Sequence, residues 1–160
     1  MANSLEYHPS DGKYPGMRSD MLHDVAPDFF HYAVNRWISL YFDWVDPSVK
    51  MNWVAEAYFQ KIDSLDSNKN SEYNQGWVHQ DDDKVCAAIV YLDKDPNPDQ
   101  GTSICSPIKE YDRSQEVRGD FYKEGKRSAE YETEMNTCQD SFKESVVVDN
   151  QYNRLITFDS

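Results

Sequence analysis

The strongest periodic pattern in the chain begins just after Pro27. Large apolar residues recur there at spacings of three and four, which places them on one face of an α-helix; they are Phe30, Val34, Trp37, Tyr41 and Trp44. Proline is favoured in the first turn of a helix, and Pro47 follows the last apolar residue. The pattern predicts an amphipathic helix over residues 27–45 that packs its aromatic face against a core.

Residues 51–62 alternate between apolar and polar positions instead. Period two is typical of a strand with one buried face; the apolar set is Trp53, Ala55, Ala57 and Phe59. Shorter β-branched or aromatic runs predict further strands, at 77–81, 84–93, 102–106, 145–148 and 154–158. The first two of these are either two short strands or one strand with a break. The last two flank Asp149-Asn150 and are expected to form a hairpin.

Two segments have no such pattern. Residues 1–26 mix prolines and glycines with polar residues, which predicts an irregular N-terminal arm with a turn at Tyr14-Pro15-Gly16. Residues 107–144 carry few aliphatic residues and charges of both signs, which predicts a charged, solvated insertion. Within it, residues 127–144 are expected to form either a polar surface helix or an ordered insertion. We therefore expect a single domain over residues 1–160, with jelly-roll strands at 51–106 and 145–160.

Composition and charge narrow the class of protein. The 160 residues are 39% hydrophobic and 14% aromatic, which is enough apolar surface for a globular fold. There are 29 acidic and 16 basic residues, a net charge of -13, which disfavours nucleic acid and anionic membranes as partners. Three cysteines without CxxC spacing favour a reducing, cytoplasmic location, and the longest apolar run, 85–92, is too short to span a bilayer.

His79 and Asp81 are the candidate metal-binding residues. Glycine-rich phosphate loops and the zinc-protease and serine-hydrolase motifs are absent from the sequence. Because side chains alternate along a strand, residues two apart can place an imidazole nitrogen and a carboxylate oxygen on one metal ion. A lone His-x-Asp also arises by chance, and the alternative is an edge-strand histidine beside a solvated acidic run at 81–83.

The wider stretch around this motif resembles a known family. His79-Gln80-Asp81 is followed by the aliphatic run 88–90, by Tyr91-Leu92-Asp93, by a proline-rich turn and by Gly101-Thr102. This order resembles the Fe(II)- and 2-oxoglutarate-dependent oxygenase superfamily, within it the prolyl-4-hydroxylase-like branch with bacterial and phage relatives. The resemblance extends over about residues 73–105 and again over 153–158, and Asp93 stands where that branch has Asn.

The resemblance implies specific roles for three residues. His79 and Asp81 would bind Fe(II), and Tyr91 would bind the far carboxylate of the co-substrate 2-oxoglutarate. Strand parity independently places Tyr91 on one face with Ala87 and Ile89, as expected for a pocket wall, and a buried structural tyrosine is the alternative.

One departure from the family bears on activity. The family has a second metal-binding histidine and a basic residue for 2-oxoglutarate further along, whereas no histidine follows His79 here, and Arg154 precedes the expected position. Three explanations are open: a fragment of a longer oxygenase that ends before its last strands, a degenerate relative, or a small binding module.

These observations lead to one hypothesis about fold and function and to one alternative. We expect a mainly β fold with flanking helices, a double-stranded β-helix (jelly-roll), possessing Fe(II)- and 2-oxoglutarate-dependent hydroxylase activity on a small molecule or peptide when complete. A fragment would leave an open sheet edge through which a homodimer could form. The alternative is a non-catalytic jelly-roll binding module or degenerate oxygenase relative.

Overall fold

The computed structural model describes residues 1–42, 48, 50, 52–63, 76–79, 84–97, 100–111, 115–124 and 128–159. The contacts of the backbone divide the chain into two compact units. The first contains residues 1–69 and 118–126, and the second contains residues 70–117 and 127–160. These are units of one 160-residue chain, and the expectation of a single domain stays a prediction.

The first unit begins with ordered structure rather than an irregular arm. A 3-10 turn at Ala2–Ser4 precedes strands β1 (Tyr7–Pro9) and β2 (Met17–Ser19) and the short helix α1 (Leu22–Val25). Both strands join β3 (Gln60–Lys61) in an antiparallel sheet of order β1-β2-β3. The prediction of an irregular arm over residues 1–26 is therefore wrong. Three-residue strands have no periodic pattern, and the partner of β2 lies about forty residues away.

Helix α2 (Pro27–Tyr41) begins at the predicted residue, with Pro27 in its first turn. Phe30 and Val34 are buried and form a core with Leu22 of α1. Partly buried apolar side chains surround this core; they are Leu5, Trp37, Ile38, Ala55, Ala57 and Phe59. The predicted packing of the aromatic face is confirmed, and residues 43–45 of the predicted helix lie outside the described residues.

Residues 52–59 run alongside this core without being a regular strand. Only Gln60 and Lys61 pair as β3, although the carbonyls of Ala57 and Phe59 accept the N–H groups of Leu22 and Ser19 at 2.8 and 2.9 Å. The predicted strand over 51–62 is thus wrong in length. Its alternation nevertheless marks the residues that face the core, apart from Trp53, which is exposed.

The second unit contains four longer strands in two antiparallel pairs. Strand β4 (Cys86–Val90) pairs with β7 (Leu155–Asp159), and β5 (Thr102–Pro107) pairs with β6 (Phe142–Val148). The strands predicted near 145–148 and 154–158 are present, but the hairpin between them is wrong. A turn sequence indicates only that the chain reverses direction there. Which strands pair depends on the apolar faces that they bury together, and these strands can be distant in sequence. The β4·β7 pair encloses the β5·β6 pair in sequence.

Residues 107–144 contribute buried side chains, so the prediction of a solvated insertion is wrong. They include α3 (Gln115–Glu124), most of which belongs to the first unit, and α4 (Ala129–Ser141) in the second. Ser128 caps α4 by accepting the N–H of Tyr131 at 3.1 Å. One face of α4 is buried, and it consists of Tyr131, Met135, Cys138 and Ser141. Tyrosine, methionine and cysteine fill this face, so a count of aliphatic residues misses it.

Several expectations about architecture stay predictions. The described residues form small sheets and four helices without a closed barrel, so the double-stranded β-helix is not tested. Each pair in the second unit is a two-stranded sheet, and dimerisation through an open edge is likewise untested. None of the helices in the described ranges is long and apolar enough to cross a membrane.

Candidate functional site

His79 lies in the short segment Gly76-Trp77-Val78-His79 of the second unit, and its side chain is exposed. The described residues 77–79 are not in a regular strand, so the strand predicted over 77–81 is wrong for this part of it. Its Nδ1 atom lies 3.1 Å from the carbonyl oxygen of Trp77. Because a carbonyl oxygen can only accept, Nδ1 must be the donor, and Nε2 then carries the lone pair of the neutral ring. This is the arrangement that a histidine needs in order to bind a metal ion through Nε2.

Helix α4 contacts the same segment at three points. Gln139 donates from Nε2 to the carbonyl of Gly76 at 3.1 Å, and the thiol of Cys138 lies 3.9 Å from the carbonyl of Val78. The indole of Trp77 meets the ring of Tyr131 edge to face, with centroids 5.6 Å apart. The backbone that carries His79 is thus attached to a buried helix face.

The second predicted metal ligand, Asp81, lies outside the described residues, as do Gln80 and the two aspartates that follow it. Among the residues that the structure describes, no group of three or more His, Cys, Asp and Glu side chains is placed to hold a metal ion. The described part of the site therefore supplies one candidate Fe(II) ligand, His79, in a tautomer that suits the metal.

Tyr91 directly follows β4 and extends the pairing of this strand. Its N–H donates to the carbonyl of Arg154 at 3.0 Å, and its own carbonyl accepts the N–H of Asn153 at 2.8 Å. Ala87, Ile89 and Tyr91 are half-buried, whereas Ala88 and Val90 between them are exposed. The predicted parity holds, and the phenol donates to Oγ1 of Thr102 at 2.5 Å.

Two residues of the motif stretch have clear structural roles. Asp93 accepts the N–H of Asp95 through Oδ1 at 3.0 Å, an Asx turn that Asn would make equally well. The substitution of Asp for Asn therefore leaves this turn intact. Gly101 lies close to the last residue of the neighbouring strand β6. An added Cβ at Gly101 would collide with the backbone carbonyl of Val148.

Arg154, a basic residue downstream of His79, makes structural contacts. Arg154 donates from Nη1 to the carbonyl of Asp149 at 2.9 Å and from Nη2 to Oε1 of Gln151, and these bonds stabilise the turn before β7.

The remaining histidines, His8, His23 and His31, all belong to the first unit. His23 and His31 both place their rings edge to face against Phe30.

Burial disfavours a nucleophilic role for the cysteines. Burial raises the pKa of the Cys86 thiol and that of the Cys105 thiol above the usual value of a cysteine. A raised pKa lowers the thiolate fraction, and the thiolate is the reactive form. Cys138 is fully buried on the core face of α4.

Sequence reasoning missed the contribution of α4 to the candidate site. Tyr131, Met135 and Cys138 have the spacing of four and three that marks one helix face, and this signal was available in the sequence. Gln139 has no comparable signal, because its role depends on a backbone carbonyl about sixty residues earlier.

Comparisons of the chain with models of protein families, with curated proteins and with solved structures find no match in any of the three.

Proposed function

We propose that this chain carries part of the metal- and co-substrate-binding core of an Fe(II)- and 2-oxoglutarate-dependent oxygenase that hydroxylates a small molecule or a peptide side chain. The observation that carries the proposal is the hydrogen bond from His79 Nδ1 to the carbonyl of Trp77, because it selects the tautomer in which Nε2 carries a lone pair. Asp81, two residues later, would supply a carboxylate oxygen to the same ion.

The strand order supports this proposal. The β4·β7 pair encloses β5·β6 in sequence, which is the nesting that results when one long antiparallel ribbon folds over itself. Jelly-roll folds are built in this way. In this arrangement His79 precedes the first strand of the ribbon, as the metal-binding motif does in the family that the sequence resembles.

The position of Tyr91 is also consistent with the proposal. Its phenol points from the end of β4 to Thr102 at the start of β5, between two sheets of the same unit. To donate to a carboxylate such as that of 2-oxoglutarate, the phenol would exchange its hydrogen bond to Thr102 for one to the carboxylate, because it has a single O–H. Tyr91→Phe should then weaken 2-oxoglutarate binding by about tenfold, since hydrogen bonds to charged groups contribute about 1.5–3 kcal/mol.

Bound Fe(II) would supply the coordination positions at which 2-oxoglutarate and dioxygen react. The residues of this chain would hold the metal through His79 and Asp81 and orient the co-substrate through Tyr91. Two protein ligands hold a six-coordinate ion weakly, so we expect low affinity for the metal and little 2-oxoglutarate turnover by the 160-residue chain.

Titration of Mn(II), an oxygen-stable substitute for Fe(II), tests the proposal directly. We expect weak binding to the wild-type chain and a loss of about tenfold or more in His79→Ala and in Asp81→Ala. His31→Ala is the matched control, because it removes an exposed histidine from the first unit. Equal affinity in His79→Ala and His31→Ala would contradict the proposal.

Thermal denaturation with added ligands distinguishes the binding-module alternative. A non-catalytic module would be stabilised against heat by a sugar or peptide ligand in the presence of a metal chelator. Thermal stabilisation that requires both Mn(II) and 2-oxoglutarate would instead favour the oxygenase.

A further inference from the structure

We propose that a groove between Tyr111 and helix α4 binds the guanidinium group of an arginine side chain that a basic partner protein presents. The groove lies in the second unit and has a volume of about 460 Å³. The residues that line it are Tyr111, Ala129, Glu130, Thr133, Glu134 and Thr137. None of these six is a proposed ligand of the metal or of 2-oxoglutarate, so this proposal does not depend on the proposed function.

The polar side chains that α4 contributes to the groove are acceptors of hydrogen bonds. Thr133 donates its hydroxyl hydrogen to the carbonyl of Ala129 at 2.8 Å, and Thr137 donates to the carbonyl of Thr133 at 2.8 Å. Because both hydrogens are bonded within the helix, the hydroxyl oxygens can only accept a further bond. The carboxylates of Glu130 and Glu134 are acceptors as well. These groups favour a ligand that is rich in N–H donors.

Tyr111 adds an aromatic wall to the groove. Its phenol donates to Oε1 of Glu134 at 3.4 Å, and its ring meets the ring of Phe142 edge to face, with centroids 5.9 Å apart. These contacts hold the ring beside α4 and direct the phenol hydrogen to a carboxylate. Cations are attracted to the faces of aromatic rings, and arginine is found there more often than lysine.

The charges around the groove favour a cation as the ligand. Glu130 and Glu134 are one helical turn apart, where like charges repel each other, and none of the described residues that line the groove is basic. Glu130 is exposed, so a cation can approach its carboxylate from solvent. The net charge of -13 adds a long-range attraction for basic proteins.

An arginine side chain of a protein fits these features better than a lysine or a free small molecule. A guanidinium is planar and has five N–H donors, so it can bond a carboxylate and stack on a ring, whereas an ammonium is a compact point charge. The groove is open, because Ala129, Glu130, Thr133 and Thr137 are exposed. Sites for small molecules enclose most of the surface of the ligand, so an open groove suits a side chain that a larger partner holds in place.

NMR titration of the full ¹⁵N-labelled chain tests the proposal. The probe is a blocked pentapeptide with one arginine among glycine and serine residues. Its counterparts carry lysine, or citrulline, which has nearly the shape of arginine and no charge. We expect saturable shifts of the amide signals of Tyr111 and residues 129–137 with the arginine peptide, weaker binding of the lysine peptide, and no saturable shifts with the citrulline peptide.

Variants of α4 and Tyr111 identify the contacts. Glu130→Gln keeps the shape of the side chain and removes its charge, so the Kd should rise about two- to fivefold, the usual effect of an exposed ion pair. Glu132→Gln is the matched control, because it makes the same change at an exposed position of α4 that does not line the groove. Tyr111→Leu should also raise the Kd about two- to fivefold, whereas Tyr111→Phe keeps the ring and most of the affinity. Spectra without peptide show whether each variant keeps its fold.

Several results would overturn the proposal. Equal Kd values for Glu130→Gln and Glu132→Gln would show that net charge alone attracts the peptide, as would shifts spread over the acidic residues of both units. Equal binding of the arginine peptide and either counterpart would exclude a site for guanidinium. None of these measurements involves Mn(II) or His79, so this proposal and the proposed function fail independently.

Discussion

The phenol of Tyr91 donates a hydrogen bond to Oγ1 of Thr102 at 2.5 Å, which joins the residue after β4 to the first residue of β5. The two strands belong to different two-stranded sheets of the second unit. Isolated two-stranded sheets are only marginally stable. A side-chain bond between the two pairs therefore contributes to holding the second unit together, in addition to any role in ligand binding.

We predict that Tyr91 and Thr102 are energetically coupled. Tyr91→Phe and Thr102→Val should each lower the free energy of unfolding by about 1 kcal/mol, the usual net contribution of one hydrogen bond. The double variant should lose much less than the sum, because the bond can be removed only once. Urea denaturation of all four proteins measures this coupling, and strictly additive losses would show that the hydrogen bond contributes nothing.

Gly101 offers a test of the β5·β6 pairing. An added Cβ would collide with the carbonyl of Val148 and come within 3.0 Å of the Cα of Asp149. Gly101→Ala should therefore lower the free energy of unfolding by about 1–3 kcal/mol, the range for overpacked positions.

Gly76→Ala is the matched control, since a Cβ there would meet nothing within 4 Å. Its effect should stay within about 0.5 kcal/mol, as is usual for substitutions away from packed features. Similar losses in both variants would mean that β5 and β6 do not approach as closely as described.

The buried face of α4 leads to a third prediction. Met135→Ala should lower the free energy of unfolding by about 3 kcal/mol, because it removes a buried side chain and leaves a cavity. Asn136→Ala, the adjacent exposed residue, should change it by less than about 0.5 kcal/mol. Chemical denaturation distinguishes the two, and equal small effects would restore the surface helix that the composition suggested.

A fourth prediction concerns Arg18 on β2 of the first unit. Its guanidinium lies between the rings of Tyr14 and Tyr58, 3.8 and 3.9 Å from their centroids, while Nε donates to Oε1 of Gln60 at 3.0 Å. Arg18→Ala should cost about 2 kcal/mol, from two cation–π contacts and one hydrogen bond.

Arg18→Lys should recover only part of this loss, because an ammonium lacks the planar group that stacks between two rings. Arg36→Ala on the exposed side of α2 removes the same charge and is expected to have little effect. If Arg18→Ala and Arg36→Ala are equivalent, the sandwich contributes no stability.

The fifth prediction is a pH dependence. Burial raises the pKa of Tyr111 above its usual value of 10.0, and the neighbouring Cys138 and Glu134 raise it further. The folded protein then keeps the phenol proton more tightly than the unfolded chain does. This contribution to stability is complete below about pH 10 and is lost as the pH rises from there toward the folded pKa.

Tyr111→Phe removes this contribution, so its free energy of unfolding should fall less steeply above pH 10 than that of the wild-type chain. Tyr152→Phe, which removes a phenol from an exposed position, is the control. Parallel curves for Tyr111→Phe and the wild-type chain would contradict the assignment. Other groups that titrate in this range affect both proteins alike and cancel in the comparison.

Local patterns in the sequence predicted where elements lie and which side of each is buried. Spacings of three and four located α2 from Pro27 and placed Phe30 and Val34 in a core. Alternation placed Ala87, Ile89 and Tyr91 on one side of a strand. Both patterns are local because they follow from the number of residues per turn or per pleat. The proposed ligands His79 and Asp81 were identified from their spacing together with the family resemblance of the surrounding stretch, and they stay a prediction.

Only the tertiary structure decided which elements meet. The turn at Asp149-Asn150 suggested that its flanking strands pair, yet β7 pairs with β4 and β6 with β5. The polar composition of α4 suggested a surface helix, yet it carries Tyr131 and Cys138, both fully buried. Its Gln139 reaches the carbonyl of Gly76 across sixty-three residues of sequence. Which strands pair and which helix face is buried depend on the total burial and hydrogen bonding among distant segments. The sequence of one segment alone does not contain this information.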